Sequence, residues 1–223
     1  MNTKDKIYVT LCSLFSVLVV ISSIVYQKFI LFQVLSLYTF EVSAGAIIYP
    51  FTFLLTNLIS EFYGKKRASF CLNLALTISI LISLLIAVID GLNATEWSNV
   101  DNITFHRVFG LYSISLVASI MACYISQRID ITIYLWIRKI TRGRWLLFGS
   151  NVSTSIALFI DTLIVISLIW LCDALPIDSI GLLVVNSYLF KVILILCSTP
   201  LFYLGVKIIR TVSETEERNP YCI

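Results

Sequence analysis

The stretch TNLISEFYGKKRA, residues 56–68, closes a long apolar run with an amide, a carboxylate, a glycine and three consecutive cations. Lys65, Lys66 and Arg67 form the kind of basic stop that ends a membrane-crossing helix on the cytoplasmic side. Gly64, just before them, suits the turn that ends such a helix, because glycine enters backbone conformations closed to other residues. Within the run Asn57 and Glu61 are one helical turn apart, and with Pro50 they share one helix face. Polarity placed this close to the end of an apolar helix needs either solvent or a partner.

The same reading extends to the whole chain. Of its 223 residues, 59% are hydrophobic and 13% charged, and the mean hydropathy is +0.95; a soluble domain carries about 25% charged residues. The apolar runs last about 20 residues without alternation, which fits helices crossing a bilayer core and not barrel strands of about ten. The expected fold is an all-α integral membrane protein, one domain over 1–223, with six transmembrane helices. Their expected positions are 7–26, 42–61, 68–89, 108–127, 153–172 and 182–209. The first run is too long for the apolar part of a signal peptide and no small-x-small site follows it, so it is read as a mature helix. Residues 29–40 are apolar but too short to cross, and Glu41 ends them. They are expected to form an interfacial or re-entrant element on the outer side.

Charge sets the orientation. With the N-terminus inside, the inner segments hold Lys4, Lys6, Lys65, Lys66, Arg67, Arg128, Arg138, Lys139, Arg142, Arg144, Lys207, Arg210 and Arg218. The outer segments hold only Lys28 and Arg107, and Lys191 falls within a span. This asymmetry predicts both termini in the cytoplasm. It also accounts for the net charge of +3, so no nucleic acid is expected as a partner.

Several chemistries find no support. The six cysteines are scattered without a C-x-x-C pair, and His106, the single histidine, sits in a polar loop beside Arg107. Neither a metal nor a cofactor is expected. H-E-x-x-H, G-x-S-x-G and P-loop patterns are missing, which weakens an enzymatic reading. The outer loop 90–107 carries two glycosylation-type triplets, at Asn93 and Asn102, of a kind that chance supplies often.

What remains is polarity at depth. A charge at the bilayer centre costs about 2.5–3.5 kcal/mol on insertion scales and marks a functional candidate. Asp161 and Lys191 are predicted near the midplane on consecutive helices, where they invite a pair. That pair serves either as a structural bridge or as the wall of a substrate cavity. Glu61 is open between a site and a charge that snorkels beside Lys65, whereas Asn57 lies deeper. Pro50 and Pro200 are predicted helix breaks that free backbone carbonyls, and Ser198, Thr199 and Tyr203 accompany the second break. Broken helices with polar groups are one way a transporter builds a midplane site.

Four motifs in order resemble the queuosine precursor transporter family, also called the vitamin uptake transporter family. They are PFTFLLTNLISEFYGKKRA at 50–68, ISQRIDI at 125–131, STSIALFIDT at 153–162 and YLFKVILILCSTPLFYL at 188–204. Together they span about residues 45–210. Two positions depart from the family pattern: Asn57 stands where Asp is usual, and Leu158 where Gln is common.

The resemblance implies import of queuine or of 7-cyano- or 7-aminomethyl-7-deazaguanine across a bacterial cytoplasmic (inner) membrane, for queuosine modification of tRNA. The partners it implies are this small molecule and the lipid bilayer, and a homo-oligomer stays open. A carboxylate, Asp161 or Glu61, could accept the two N–H donors of the base, with Asn57, Lys191, Thr199 and Tyr203 beside it. Tyr49, Phe53, Trp170 and Tyr203 are candidate stacking partners. The competing readings are a substrate-capture subunit that needs a separate energy-coupling complex, and an intramembrane enzyme.

Overall fold

The computed structural model describes residues 2–34, 38–110, 112–142, 145–171 and 180–218. Helix α1 (Thr3–Ile24) leads through a 3-10 turn (Val25–Gln27) into strands β1 (Phe29–Val34) and β2 (Tyr38–Ser43). Helix α2 (Gly45–Asp90) follows, then a short α3 (Asn102–Phe105) continuing into a π-helical turn (His106–Gly110). Helices α4 (Tyr112–Ile140), α5 (Leu146–Leu171) and α6 (Ile180–Arg218) complete the chain.

Among the described residues, four helices are long and apolar enough to cross a membrane: Thr3–Ile24, Gly45–Asp90, Phe148–Leu168 and Val184–Val212. The protein is therefore a helical, multi-pass membrane protein. Helix α2 has 46 residues, about twice what one crossing needs, and its one non-helical residue is Gly64, at φ 78° and ψ 175°. The chain reverses there. Gly45, Ala46 and Tyr49 of the first half line the same cavity as Leu76 and Ser79 of the second. Leu55 and Ile59 pack in one cluster with Ala68, Cys71, Leu72 and Ala75. The two expected spans 42–61 and 68–89 are thus the arms of a helical hairpin. Cys12, Phe15 and Val19 of α1 fill the seam beside them.

Three expectations need correction. Within the expected interfacial element, strands Phe29–Val34 and Tyr38–Ser43 pair antiparallel, with Phe32 opposite Phe40 and Leu31 opposite Glu41, so Glu41 lies inside a strand of an otherwise all-α fold. Edge carbonyls and amides of so short a segment pair with each other, and Phe40 and Val42 on one face pack on Phe190 of α6. Second, Pro50 and Pro200 do not break their helices, which run through both residues. Hydroxyls bond the backbone around them: Thr52 Oγ1 donates to the Tyr49 carbonyl (2.7 Å) and Ser198 Oγ to that of Ile195 (2.8 Å). Packing against neighbouring helices absorbs the loss of the proline N–H groups, as it does in membrane helices generally. Third, α4 extends well past residue 127 and α5 starts at Leu146, so Asp130, Tyr134 and Arg138 lie on a helix and not in an inner loop.

Outside the helical core, Asp101 caps α3 by accepting from the Thr104 amide (3.3 Å), and the Thr104 contact holds its carboxyl below the usual carboxylate range. His106 Nδ1 meets Asp90 Oδ2 at 2.7 Å, so the single histidine joins the end of α2 to the turn after α3.

Gly64 generates a direct prediction. A Cβ there would meet no atom within 4 Å, so any cost of Gly64→Ala comes from the backbone alone. At that φ and ψ, essentially a glycine-only region, the expected loss is about 1–3 kcal/mol. Gly91→Ala, at φ −77°, serves as the control and should stay within about 0.5 kcal/mol of wild type. Thermal stability of the purified variants in detergent reads both, and equal stability of the two would show that Gly64 carries no conformational demand.

Candidate functional site

Three helices bring side chains to Asp161 of a fourth. The residue sits on α5, and at 3% exposure it is withdrawn from solvent and lipid. Lys191 Nζ of α6 lies 2.9 Å from Asp161 Oδ2 and also donates to Thr162 Oγ1 (3.1 Å). Tyr49 of α2 donates its hydroxyl to Asp161 Oδ1 (2.8 Å), and Ser126 of α4 donates more weakly to the same oxygen (3.4 Å). The Lys191 ammonium also lies over the Tyr49 ring, 5.5 Å from its centroid, within the range of a cation–π contact. The sequence placed Asp161 and Lys191 at matching depth, and the structure pairs them.

A cavity borders this cluster. Ser22 at the end of α1, Tyr26 of the 3-10 turn that follows, Tyr49 and Ser79 from the two arms of α2, and Asp161 with Lys191 are among its walls. About 30 Å³ of it admits the centre of a water molecule, enough for one or two waters and too little for a bicyclic base. Loading a larger ligand here requires the walls to separate. Phe53 stands edge-on to Tyr49, with ring centroids 5.3 Å apart, and packs with Ala157, Leu158 and Ile195 as the apolar side of the region. Leu158 closes that side with hydrocarbon.

Asn57 belongs to a second polar layer. Its Nδ2 donates to Ser150 Oγ (3.0 Å) and Thr154 Oγ1 (3.1 Å) of α5, and Thr154 Oγ1 in turn donates to Asp130 Oδ1 (3.2 Å) of α4. Between the two layers, Gln127 accepts from Thr56 Oγ1 at Oε1 (2.8 Å) and donates through Nε2 to Thr52 Oγ1 (3.0 Å). Asn57, Gln127 and Asp130 are all fully buried. Sequence reasoning missed Asp130 and Gln127 as site residues, although both stand in the ISQRIDI motif. The available signal was helical spacing: Asp130, Tyr134 and Arg138 fall on one face of α4.

Glu61 forms a third layer, at the basic end of the first α2 arm. Arg138 approaches its carboxylate through Nε (2.6 Å) and Nη2 (3.0 Å), and Tyr134 donates its hydroxyl at 2.9 Å. Its side chain is 7% exposed, so Glu61 is held in an ion pair with Arg138 and does not snorkel beside Lys65. Thr199 exchanges hydrogen bonds with Asn151 (3.1 and 3.3 Å) and joins α6 to α5 away from Asp161. Tyr203 is 57% exposed while its neighbour Phe202 is buried; the structure does not bring Tyr203 to the cluster. Trp170's side chain lies outside the described residues. Among those residues, no group of three or more His, Cys, Asp or Glu could hold a metal.

The Asp161–Lys191 pair can be tested as a unit. Lys191→Met leaves a buried carboxylate without its cation, and its expected cost is about 3–5 kcal/mol. Adding Asp161→Asn should recover part of that loss, with a coupling of about 0.5–3 kcal/mol in a double-mutant cycle on thermal stability. Strict additivity of the two single variants would dissolve the pair.

Comparison with known proteins agrees with this architecture. No solved structure matches the chain. A Bacillus subtilis (strain 168) protein described as "Probable queuosine precursor transporter" is 27% identical over 182 residues, which cover 79% of this chain and 77% of the relative. The family model described as "Putative vitamin uptake transporter" matches residues 43–205. That match runs from the end of the β-hairpin to the α6 segment facing Leu58 and takes in every polar layer, so the chain belongs to the vitamin uptake transporter family.

Proposed function

We propose that the protein imports a queuosine precursor, queuine or a 7-cyano- or 7-aminomethyl-7-deazaguanine, across the bacterial cytoplasmic membrane for tRNA modification. In this reading six spans cross with both termini in the cytoplasm, and the chain is a carrier, not an enzyme. The observation that carries it is the Asp161–Lys191–Tyr49 cluster beside a cavity walled by hydroxyls and an aromatic ring, in a chain of this family.

The chemistry suits a deazaguanine. Its pairing edge offers two parallel N–H donors and a carbonyl, so a carboxylate accepts the donors and an ammonium meets the carbonyl. In the closed arrangement Asp161 and Lys191 satisfy each other; on loading, each exchanges one protein partner for one on the base. Tyr49 supplies a face for stacking, worth about 1–3 kcal/mol per base. The small size of the cavity belongs to the same picture: the closed site has room for one or two waters only, and a base enters when α2, α5 and α6 separate.

Uptake of each labelled deazaguanine by cells lacking other importers tests the reading. Asp161→Asn and Lys191→Met should abolish uptake. Tyr49→Phe, which loses one hydrogen bond worth about 0.5–1.5 kcal/mol, should weaken apparent affinity about 2- to 10-fold. Tyr203→Ala, on the exposed face, should leave uptake near wild type. Wild-type levels in all four variants would remove the site. Uptake by this chain alone in liposomes separates a complete carrier from a capture subunit.

A further inference from the structure

Asp130 presents a problem that neither the fold nor the proposed substrate site solves. Its carboxyl is fully buried between α2, α4 and α5, and among the described residues it makes no ion pair. Oδ1 accepts from Thr154, whereas Oδ2 has no hydrogen-bond donor. The Asn57 carboxamide oxygen, also fully buried, lacks a donor too. The two side chains are neighbours: both bond to Thr154 Oγ1, and Asn57 and Ser153 lie within reach of the Asp130 carboxyl.

The surrounding charges do not supply what is missing. On α4, Tyr134 and Arg138 follow one and two turns later, and both are engaged with Glu61 of α2. The α5 face presents only hydroxyls, those of Ser150, Ser153 and Thr154. Arg128 is directed to Ser69, Asn73 and the Tyr124 ring. An ionised carboxylate in such a place has hydroxyl contacts but no counter-charge, a state proteins relieve by neutralising the group. A proton on Oδ2 would make it a donor, and the neighbouring Asn57 oxygen is a buried acceptor in want of one.

We infer that Asp130 is a proton-binding site: in this closed arrangement its carboxyl is neutral, with Oδ2–H turned to Asn57, and the proton it carries is the ion coupled to substrate movement. When α2 and α5 part, the Oδ2–H bond breaks to water and Asp130 is left ionised. Reclosing requires a proton to return from the side then open. Arg138, whose side chain is 39% exposed, brings solvent to within two helical turns of Asp130 on the inner side. The protonation state stands independently of the uptake reading, whereas the coupling role rests on it.

Two measurements on the full chain in lipid separate these parts. Infrared spectroscopy at neutral pH should show the carbonyl stretch of a buried protonated carboxylic acid. That band should be missing in Asp130→Asn and move to higher frequency in Asn57→Leu, where the acceptor is gone. Its absence from wild type, as for an ionised Asp130 receiving a reoriented Asn57 amide, would overturn the site, as would its persistence in Asp130→Asn.

In liposomes with the membrane potential clamped, wild type should accumulate labelled 7-cyano-7-deazaguanine about tenfold per unit of inward pH gradient for one proton carried. Asp130→Asn should equilibrate the substrate without accumulating it. Accumulation driven by sodium at symmetric pH and lost in Asp130→Asn would replace the proton by an alkali cation, and pH-driven accumulation by Asp130→Asn would refute coupling through this residue. Wild type that moves no deazaguanine would refute the uptake reading and the coupling with it, while the infrared band still decides the protonation.

Discussion

A carboxylate and an ammonium taken out of water together organise the interior of this protein. Apolar burial does little to hold membrane helices to one another, because lipid is as apolar as leucine. Close packing and polar contacts have to do it. Asp161 and Lys191 tie α5 to α6, Tyr49 brings in the first arm of α2, and Ser126 adds α4. Removing either charge strands the other in a medium that cannot solvate it. Close backbone approach then does the rest, as where Gly205 of α6 leaves room for Leu58 of α2 and a Cβ would come within 2.9 Å of it.

The polar side chains form layers along the axis of the first α2 arm. Glu61 with Tyr134 and Arg138 lies nearest the basic stop, Asn57 with Thr154 and Asp130 comes next, and Thr52, Thr56 and Gln127 follow. Tyr49 with Asp161 and Lys191 lies farthest from it. On α2, Tyr49, Thr52 and Thr56 step at intervals of three and four residues and Asn57 and Glu61 at four, so two adjoining stripes of the helix collect them. A carrier has use for such a column: a polar solute can exchange partners layer by layer, and a static bundle would do as well with hydrocarbon there.

Much of this was legible in the sequence, for reasons that also explain the failures. Long apolar runs and basic stops report a bilayer directly, and Gly64 before three cations marked the reversal that the structure shows. Asp161 and Lys191 were conspicuous because each stands alone among apolar residues. Asp130 was not, because Arg128, Arg138 and Lys139 surround it in sequence and make the segment look like a loop. Hydropathy averages over a stretch, but burial is decided face by face, and Arg128 leaves the face that Asp130 shares with Tyr134. The hairpin was hidden by shortness. Its one signal was the alternation of Phe40 and Val42, both buried, with exposed Thr39 and Glu41. The prolines misled in the opposite direction, since a missing N–H is visible in sequence and the packing that tolerates it is not.

The departure at position 57 acquires a physical meaning in this setting. Two carboxylates sharing a buried site do not both ionise; the pair keeps one proton between them. An aspartate at 57 beside Asp130 would be such a pair. With Asn57 the second oxygen acceptor is retained and its charge removed, so one hydrogen held between an acid and an amide still satisfies both groups. The substitution therefore preserves the proton count of the closed arrangement and lowers the charge that remains once the proton has left. Leu158, the other departure, lies in the apolar wall with Phe53, Ala157 and Ile195, where a glutamine would need partners that those hydrocarbon neighbours do not offer. Position 57 thus changes charge and turns one acceptor into a donor, the Nδ2 that bonds Ser150 and Thr154, and position 158 changes the polarity of the wall beside Tyr49; the two departures act on different layers of one column.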